Sequence, residues 1–403
     1  LNSWLLIMKK NGLDRRSFLR NTALTVAGAW VGCSKALSEV NDPMSDASVQ
    51  LLCTGNPFPK WKGFNISEYF QPDPFYQGAP TPEEWFKWMA GWGFNFVRIP
   101  VAYPAYLDMP KNQRTITADD VYRIDENKVQ KLEQLVFTAQ KYHLHVSFNL
   151  HRAPGYCVSA GYQEPYHLWT DQAALDAFCH HWTMWARRFK SVPSSKISFN
   201  LINEPCLRDD VNNSTLAARA VPNDQYLHVT KAAVQCIRRI KPDAVIMIDG
   251  NNGNVAAIPE LAALGVGQSC RGYYPFEISH YKAPWVFSDP AYPPYPQWPG
   301  EVGGRTFNHK LIEKYYQPWI ELARQGVGVH CGECGCWKET PHNVFLAWLG
   351  DVLDILGQHG IGFALWEFSG DFGILNSNRK DVAYENWYGH KLDRKLLTLL
   401  QNK

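Results

Sequence analysis

From about residue 60 onward, short apolar or β-branched runs alternate with longer segments in which apolar residues return every three or four positions. The short runs predict eight strands, at 62–67, 94–100, 144–151, 197–205, 244–250, 276–281, 327–333 and 361–369. Several are nearly continuous apolar stretches without in-out alternation, as strands covered on both faces of a parallel sheet read. Between them the period is helical. In 126–142, Val129, Leu132, Val136 and Ala139 form one apolar stripe, and 224–240 shows a similar one through Leu227, Val234 and Ile237. The helix predicted at 81–91 has Thr81 as its cap, Pro82 in its first turn and Glu83 and Glu84 complementing its dipole. Strands alternating with helices in this number predict an α/β chain folded as a single-domain (β/α)8 TIM barrel, with an open doubly wound sheet as the alternative.

The longest connectors, 152–170, 206–223 and 282–308, all follow predicted strand ends, so in a barrel they crowd its C-terminal face. The third carries six prolines with Trp285, Phe287, Tyr292, Tyr295 and Trp298 among them. A proline-stiffened loop presents rings at little ordering cost, which suits stacking on a ligand, although the same rings can simply pack the loop down. Composition sharpens that question. The 16 Trp, 19 Tyr and 20 Phe exceed what a core of this size ordinarily uses, so either the core is rich in Trp or some rings face a ligand, with Trp169, Trp337 and Trp366 as further candidates. Lys and Arg number 40 against 38 Asp and Glu, a net charge of +2 without a basic patch or tail, which argues against nucleic acid as a partner.

The first residues look like an address. Met8-Lys9-Lys10, then Asp14-Arg15-Arg16-Ser17-Phe18-Leu19-Arg20, then a chargeless stretch from Asn21 to Ser34, resemble a twin-arginine export signal with Met8 as the start. Residues 1–36 are therefore read as signal, 37–59 as spacer and 60–403 as the catalytic domain, in a protein exported by a bacterium and anchored through a lipid at Cys33 if Trp30-Val31-Gly32-Cys33 serves as a lipobox. No later run reaches 18 apolar residues, so no spanning segment is expected. Ten cysteines leave disulfide connectivity open; Cys331, Cys334 and Cys336 lack the second pair of ligands a zinc site needs and are read as structural.

Polar residues gather at the predicted strand ends: Arg98, His151, Asn203-Glu204, His280, Glu333 and Trp366. Two carboxyls held across a barrel mouth suit glycoside cleavage, where one protonates the leaving oxygen while the other attacks or activates water. Acetal hydrolysis needs neither metal nor organic cofactor, and none is expected.

Arg98-Ile99-Pro100, Asn203-Glu204-Pro205, Glu333 within Gly-Glu-Cys-Gly and Ala364-Leu365-Trp366, in this order, closely resemble the cellulase-type glycoside hydrolases of family 5. The resemblance covers residues 60–400 and extends to Phe372-Gly373-Ile374-Leu375-Asn376-Ser377 and Gly389-His390-Lys391-Leu392-Asp393. It implies a (β/α)8 barrel and retaining hydrolysis of a β-linked polysaccharide or oligosaccharide by a monomer, with Glu204 as acid/base and Glu333 as nucleophile. A β-1,4-glucan is the first expectation; mannan, xylan and exo action stay open. Arg98 would hold Glu333 charged, Asn203 would donate to the sugar 2-hydroxyl, His151 and His280 would bond the ring or the carboxyls, and Trp366 would floor the sugar. The family's His-x-Tyr at the end of the sixth strand would fall on His280-Tyr281-Lys282, leaving Tyr281 or Lys282 beside the nucleophile. The alternatives are a catalytically weak barrel that captures polysaccharide, and a redox or metal protein built on Cys331–Cys336.

Overall fold

The computed structural model describes residues 55–403 apart from 72–79, 111, 159–160, 214–215, 290 and 303. The export signal, Cys33 and most of the expected spacer lie outside the described residues. Eight parallel strands close into a barrel: β1 (Lys62–Asn65), β2 (Phe96–Ala102), β3 (His145–Arg152), β4 (Ile197–Asn200), β5 (Val245–Asp249), β6 (Gly267–Gly272), β7 (Val329–Cys334) and β8 (Gly362–Leu365). Each pairs with its neighbours in sequence, and β8 closes on β1 through Phe363 opposite Lys62. Most strand residues are buried, which explains the continuous apolar runs. An open doubly wound sheet is excluded by the closure.

Among the described residues seven α-helices of eight residues or more clothe the barrel: α1 (Glu83–Gly91), α2 (Glu126–Lys141), α3 (Gln172–Arg188), α4 (Asn223–Arg238), α5 (His309–Arg324), α6 (His342–Gly357) and α7 (Arg394–Gln401). The stripe of α2 is buried as expected, and Asp125 caps it by accepting from the amides of Asn127 and Lys128. Two expectations shift. Thr81 does not cap α1; its hydroxyl donates to Glu68 Oε2 at 3.1 Å, and the helix begins after Pro82. On α4 the buried face runs through Tyr226, Val229 and Ala233 to Val234 and Ile237, leaving Leu227 outside it, 37% exposed.

The sixth strand is the larger correction. Residues 276–281 do not form it: Phe276–Ser279 is a single helical turn, and β6 lies upstream in Gly-Gln-Ser-Cys-Arg-Gly. That segment lacks the bulky residues of a strand signal because the barrel leaves them no space. A Cβ on Gly267 would meet the Phe58 ring at 2.2 Å, and one on Gly272 would meet Cys334 Cβ at 2.4 Å. At the N-terminal mouth Trp61 stacks on His145 with Phe96 and Met247 beneath, while Asn56 bonds the backbone of Val329 and Gly360. Asn56 and Phe58, expected in the spacer, thus belong to the barrel's contacts. The other mouth carries the long loops, including a two-stranded hairpin, Gly300–Val302 with Arg305–Phe307, in the proline-rich one. Among the described residues no helix is long and apolar enough to cross a membrane.

Candidate active site

The C-terminal ends of the strands converge on two guanidiniums. Arg98 of β2 is buried inside the barrel and donates from Nη1 to Glu333 Oε1 (2.6 Å) and Asn65 Oδ1 (3.0 Å), from Nε to Asn200 Oδ1 (3.0 Å) and from Nη2 to Asn203 Oδ1 (2.8 Å). Arg271 of β6 sits opposite Glu333 in the β6–β7 register. It donates from Nε to Glu204 Oε1 (2.9 Å), from Nη1 to Ser269 Oγ (3.0 Å) and from Nη2 to Asn203 Oδ1 (2.9 Å) and Asp249 Oδ2, with Glu333 Oε1 3.1 Å from Nη2. One planar cation therefore touches both candidate carboxyls at once.

Backbone geometry aims Glu204. It follows β4 with φ of +46°, a left-handed conformation a glutamate adopts only when its surroundings impose it. Its amide donates to Asp249 Oδ2 at 2.9 Å and its carbonyl accepts from the Tyr156 hydroxyl at 2.6 Å, which supplies that constraint. Asn203 is fixed just as firmly. Both arginines bond its Oδ1, so its amide NH2 is the end left to donate into the cleft.

The two carboxyls differ in environment. Glu333 is nearly buried; it accepts from Arg98 and, on Oε2 at 3.1 Å, from the Tyr273 hydroxyl, and it is ion-paired with Arg271. Glu204 leaves 24% of its side chain open. Burial pushes its pKa up from 4.5 to about 7; Arg271 opposes the rise, and the Glu333 and Asp249 carboxylates add to it. Three carboxyls face two guanidiniums, so the cluster is neutral when Glu204 carries a proton.

The other expected residues divide. His151 stacks on Trp366 with ring centroids 5.6 Å apart, and burial, then the charges of Arg98 and Arg271, drive its pKa well below 6.5. It is a neutral imidazole whose Nδ1 has no protein partner. Trp366, half-buried at the end of β8, also meets Phe70 edge-on, placing one indole at the rim of the cluster. His280 bonds Ser279 Oγ through Nδ1 and lies edge-on to Tyr273 at 5.2 Å, a neighbour of the site rather than a ligand of either carboxyl. Tyr281 and Lys282 take no part: Tyr281 is buried against Tyr295, and Lys282 is exposed above the Tyr281 ring. The tyrosine that bonds Glu333 is Tyr273, so the His-x-Tyr spacing falls on Arg271-Gly272-Tyr273, with arginine in the first place.

Arg271, Tyr273 and Asp249 are the residues that sequence reading missed. Asp249 carried a signal, since Val-Ile-Met-Ile-Asp is an apolar strand ending in a carboxylate. Arg271 and Tyr273 were hidden with β6. The aromatic excess splits likewise. Trp285, Trp337 and Phe372 cluster beside His280, with Trp285 and Trp337 half in solvent. Trp169, however, is buried on Tyr156 and Tyr226 and donates to the Cys206 carbonyl, and Trp298 donates to Asp351 of α6. Cys331, Cys334 and Cys336 are buried free thiols, and among the described residues no three His, Cys, Asp or Glu side chains are arranged to hold a metal ion.

Known proteins resemble the chain over most of its length. The family model for cellulase, glycosyl hydrolase family 5, matches residues 52–371. Endoglucanase C of Acetivibrio thermocellus is 26% identical over 319 residues, 73% of this chain and 85% of that protein. Cellodextrinase A of Ruminococcus flavefaciens is 22% identical over 287 residues, 68% of this chain and 74% of that one. A crystal structure described as that of a glycoside hydrolase superposes with a TM-score of 0.74 at 34% identity, covering 85% of this chain and 99% of the other. A (β/α)8 barrel whose mouth sets two glutamates on one guanidinium, matched by the family model over most of its length, belongs to the cellulase family, glycosyl hydrolase family 5, and is a glycoside hydrolase.

Proposed function

We propose that the protein hydrolyses β-1,4-linked glucan with retention of configuration, with Glu333 as nucleophile and Glu204 as acid/base. The observation that carries this reading is the asymmetry of the two carboxyls: Glu333 takes two hydrogen-bond donors and an ion pair to a second guanidinium, while burial favours the protonated form of Glu204 up to about pH 7. In the first step a Glu333 oxygen attacks the anomeric carbon, and the bond to the leaving oxygen breaks as that oxygen takes the Glu204 proton. In the second, water attacks the same carbon, gives its proton to Glu204 and frees the Glu333 carboxylate. The Asn203 amide would bond the 2-hydroxyl, and Trp366 would lie under the sugar ring. Glucan is favoured by the endoglucanase relative. The basic segment with Arg15 and Arg16 supports export of the folded enzyme.

The test combines substrates and variants. Cellulosic glucan, mannan and xylan are compared, and proton NMR follows the anomer released first. The β anomer from glucan is expected, with E204Q and E333Q each slower by about 10³-fold or more while still binding the polymer. An α anomer first, or a wild type that binds glucan without cleaving any β-glycan, would overturn it.

A further inference from the structure

The charge on Arg271 has no counterpart in the His-x-Tyr pattern, and its position gives it a task that an imidazole there could not perform. We propose that Arg271 is a positioning residue that holds one positive charge between Glu204 and Glu333, so that negative charge passes from the nucleophile to the acid/base and back without leaving its guanidinium. The proposal rests on the double-displacement reading above.

Arg271 is held on every nitrogen. Nε faces Glu204, Nη2 reaches Glu333, Asp249 and Asn203, and Nη1 is tied to Ser269, with the side chain only 4% exposed. A guanidinium pinned this way cannot follow one carboxyl, whereas its two ends serve both. Arg98 has no such symmetry: it bonds Glu333 and three asparagines.

Charge is conserved across the cycle. Before reaction, Glu333 and Asp249 are negative, Glu204 is protonated, and the two arginines balance them. After the first step, Glu333 is a neutral ester and Glu204, having lost its proton to the leaving oxygen, is negative. The cluster is neutral both times, and the charge has moved from the Nη2 side of Arg271 to its Nε side. Without that cation the cluster would be one charge negative in both states, and the Glu204 carboxylate needed to take a proton from water would be disfavoured. A histidine would not replace it, because two ring nitrogens cannot serve Glu204, Ser269, Asn203 and Asp249 together. Lysine would keep the charge and lose the fork.

The experiment compares R271Q and R271K with the wild type on a cello-oligosaccharide, whose leaving oxygen needs the Glu204 proton, and on an aryl β-cellobioside with a good leaving group. On the oligosaccharide R271Q is expected to move the high-pH limb of kcat/KM upward by about one pH unit. On the aryl cellobioside it should release aryl alcohol in a burst and speed up on addition of azide, which attacks the ester without a base. R271K should turn over more slowly with the limb in place. An R271Q limb that stays put, with no burst and no azide rescue, would leave Arg271 a purely structural role. A second measurement avoids altering Arg271: in E333Q, whose amide stands for the neutral ester, carbon-13 NMR should show Glu204 titrating at least about one unit lower than in the wild type. Unchanged titration there also overturns the proposal. The double-displacement reading fails separately, if E333Q retains hydrolysis or the α anomer appears first.

Discussion

At the scale of single residues, what distinguishes the two glutamates is the count of donors: Glu333 accepts from Arg98 and Tyr273, Glu204 from Arg271. A general acid must hold its proton at the working pH, and burial supplies that for Glu204 by raising its pKa from 4.5 to about 7. Activity on an unactivated glucan should therefore fall about tenfold per pH unit above pH 7. On an aryl glycoside whose leaving group needs no proton, the first step should lose that limb; a limb of equal steepness on both substrates would speak against Glu204. Tyr273 offers a second test. Its hydroxyl is one of two hydrogen-bond donors on Glu333, so Y273F should lower kcat by roughly 10- to 100-fold, the worth of a hydrogen bond to a charged group. Y281F, altering a ring packed on Tyr295, should stay within about threefold of wild type. The reverse ranking would restore the register that the sequence suggested.

At the scale of elements, the strands legible in the sequence are those whose bulk faces the helices. β2, β3, β4 and β5 present Val, Ile, Leu and Phe to that layer and could be read directly, as could Arg98, Asn203-Glu204 and Glu333 at the ends of their strands. β6 is different, because Phe58 presses on one end and Cys334 of β7 on the other. Its glycines stand where Phe58 and Cys334 occupy the space of a Cβ, Ser269 and Arg271 face the barrel interior, and Gln268 bonds the Ile258 backbone, so its hydrophobic signal vanishes. Phe276–Ser279 imitates a strand because Phe276, Ile278 and His280 alternate with polar residues, although Pro275 opens a helical turn there. The loss of one strand from view hid Arg271 and Tyr273 together. The crowding has a testable consequence. G272A would set a methyl 2.4 Å from Cys334 Cβ, forcing β6 and β7 apart where Arg271 faces Glu333. It should cost about 1–3 kcal/mol in stability and reduce activity further than that loss explains, read by calorimetry alongside kcat. A variant stable as wild type and fully active would show that the strands yield without moving the site.

At the scale of the whole molecule, buried ionisable groups pull in opposite directions with pH, and their windows decide which prevails. Burial holds His145 at about 4, His181, His280 and His330 at about 3, and His151 well below 6.5. The unfolded chain takes up these protons below about pH 6.5 while the folded chain refuses them, so each histidine withdraws stability as pH falls. Burial raises Glu204 and Glu367 to about 7, and Glu68 and Glu164 in the same direction. Glu204 and Glu367 hold protons when folded that they would release if unfolded, so they add stability as pH falls from 7 toward 4.5, and Glu68 and Glu164 act in the same sense. In that window they offset part of what the five histidines withdraw. Below about 4.5 the carboxyls are protonated in both states and contribute nothing more, while the histidines continue, each at about 1.4 kcal/mol per pH unit. The melting temperature should accordingly decline gently from pH 6.5 to 4.5 and more steeply below, with H181Q making the decline shallower if it folds. A melting temperature that holds to pH 3 would mean that the imidazoles are hydrated in a way their burial inside the barrel and its helix layer does not permit.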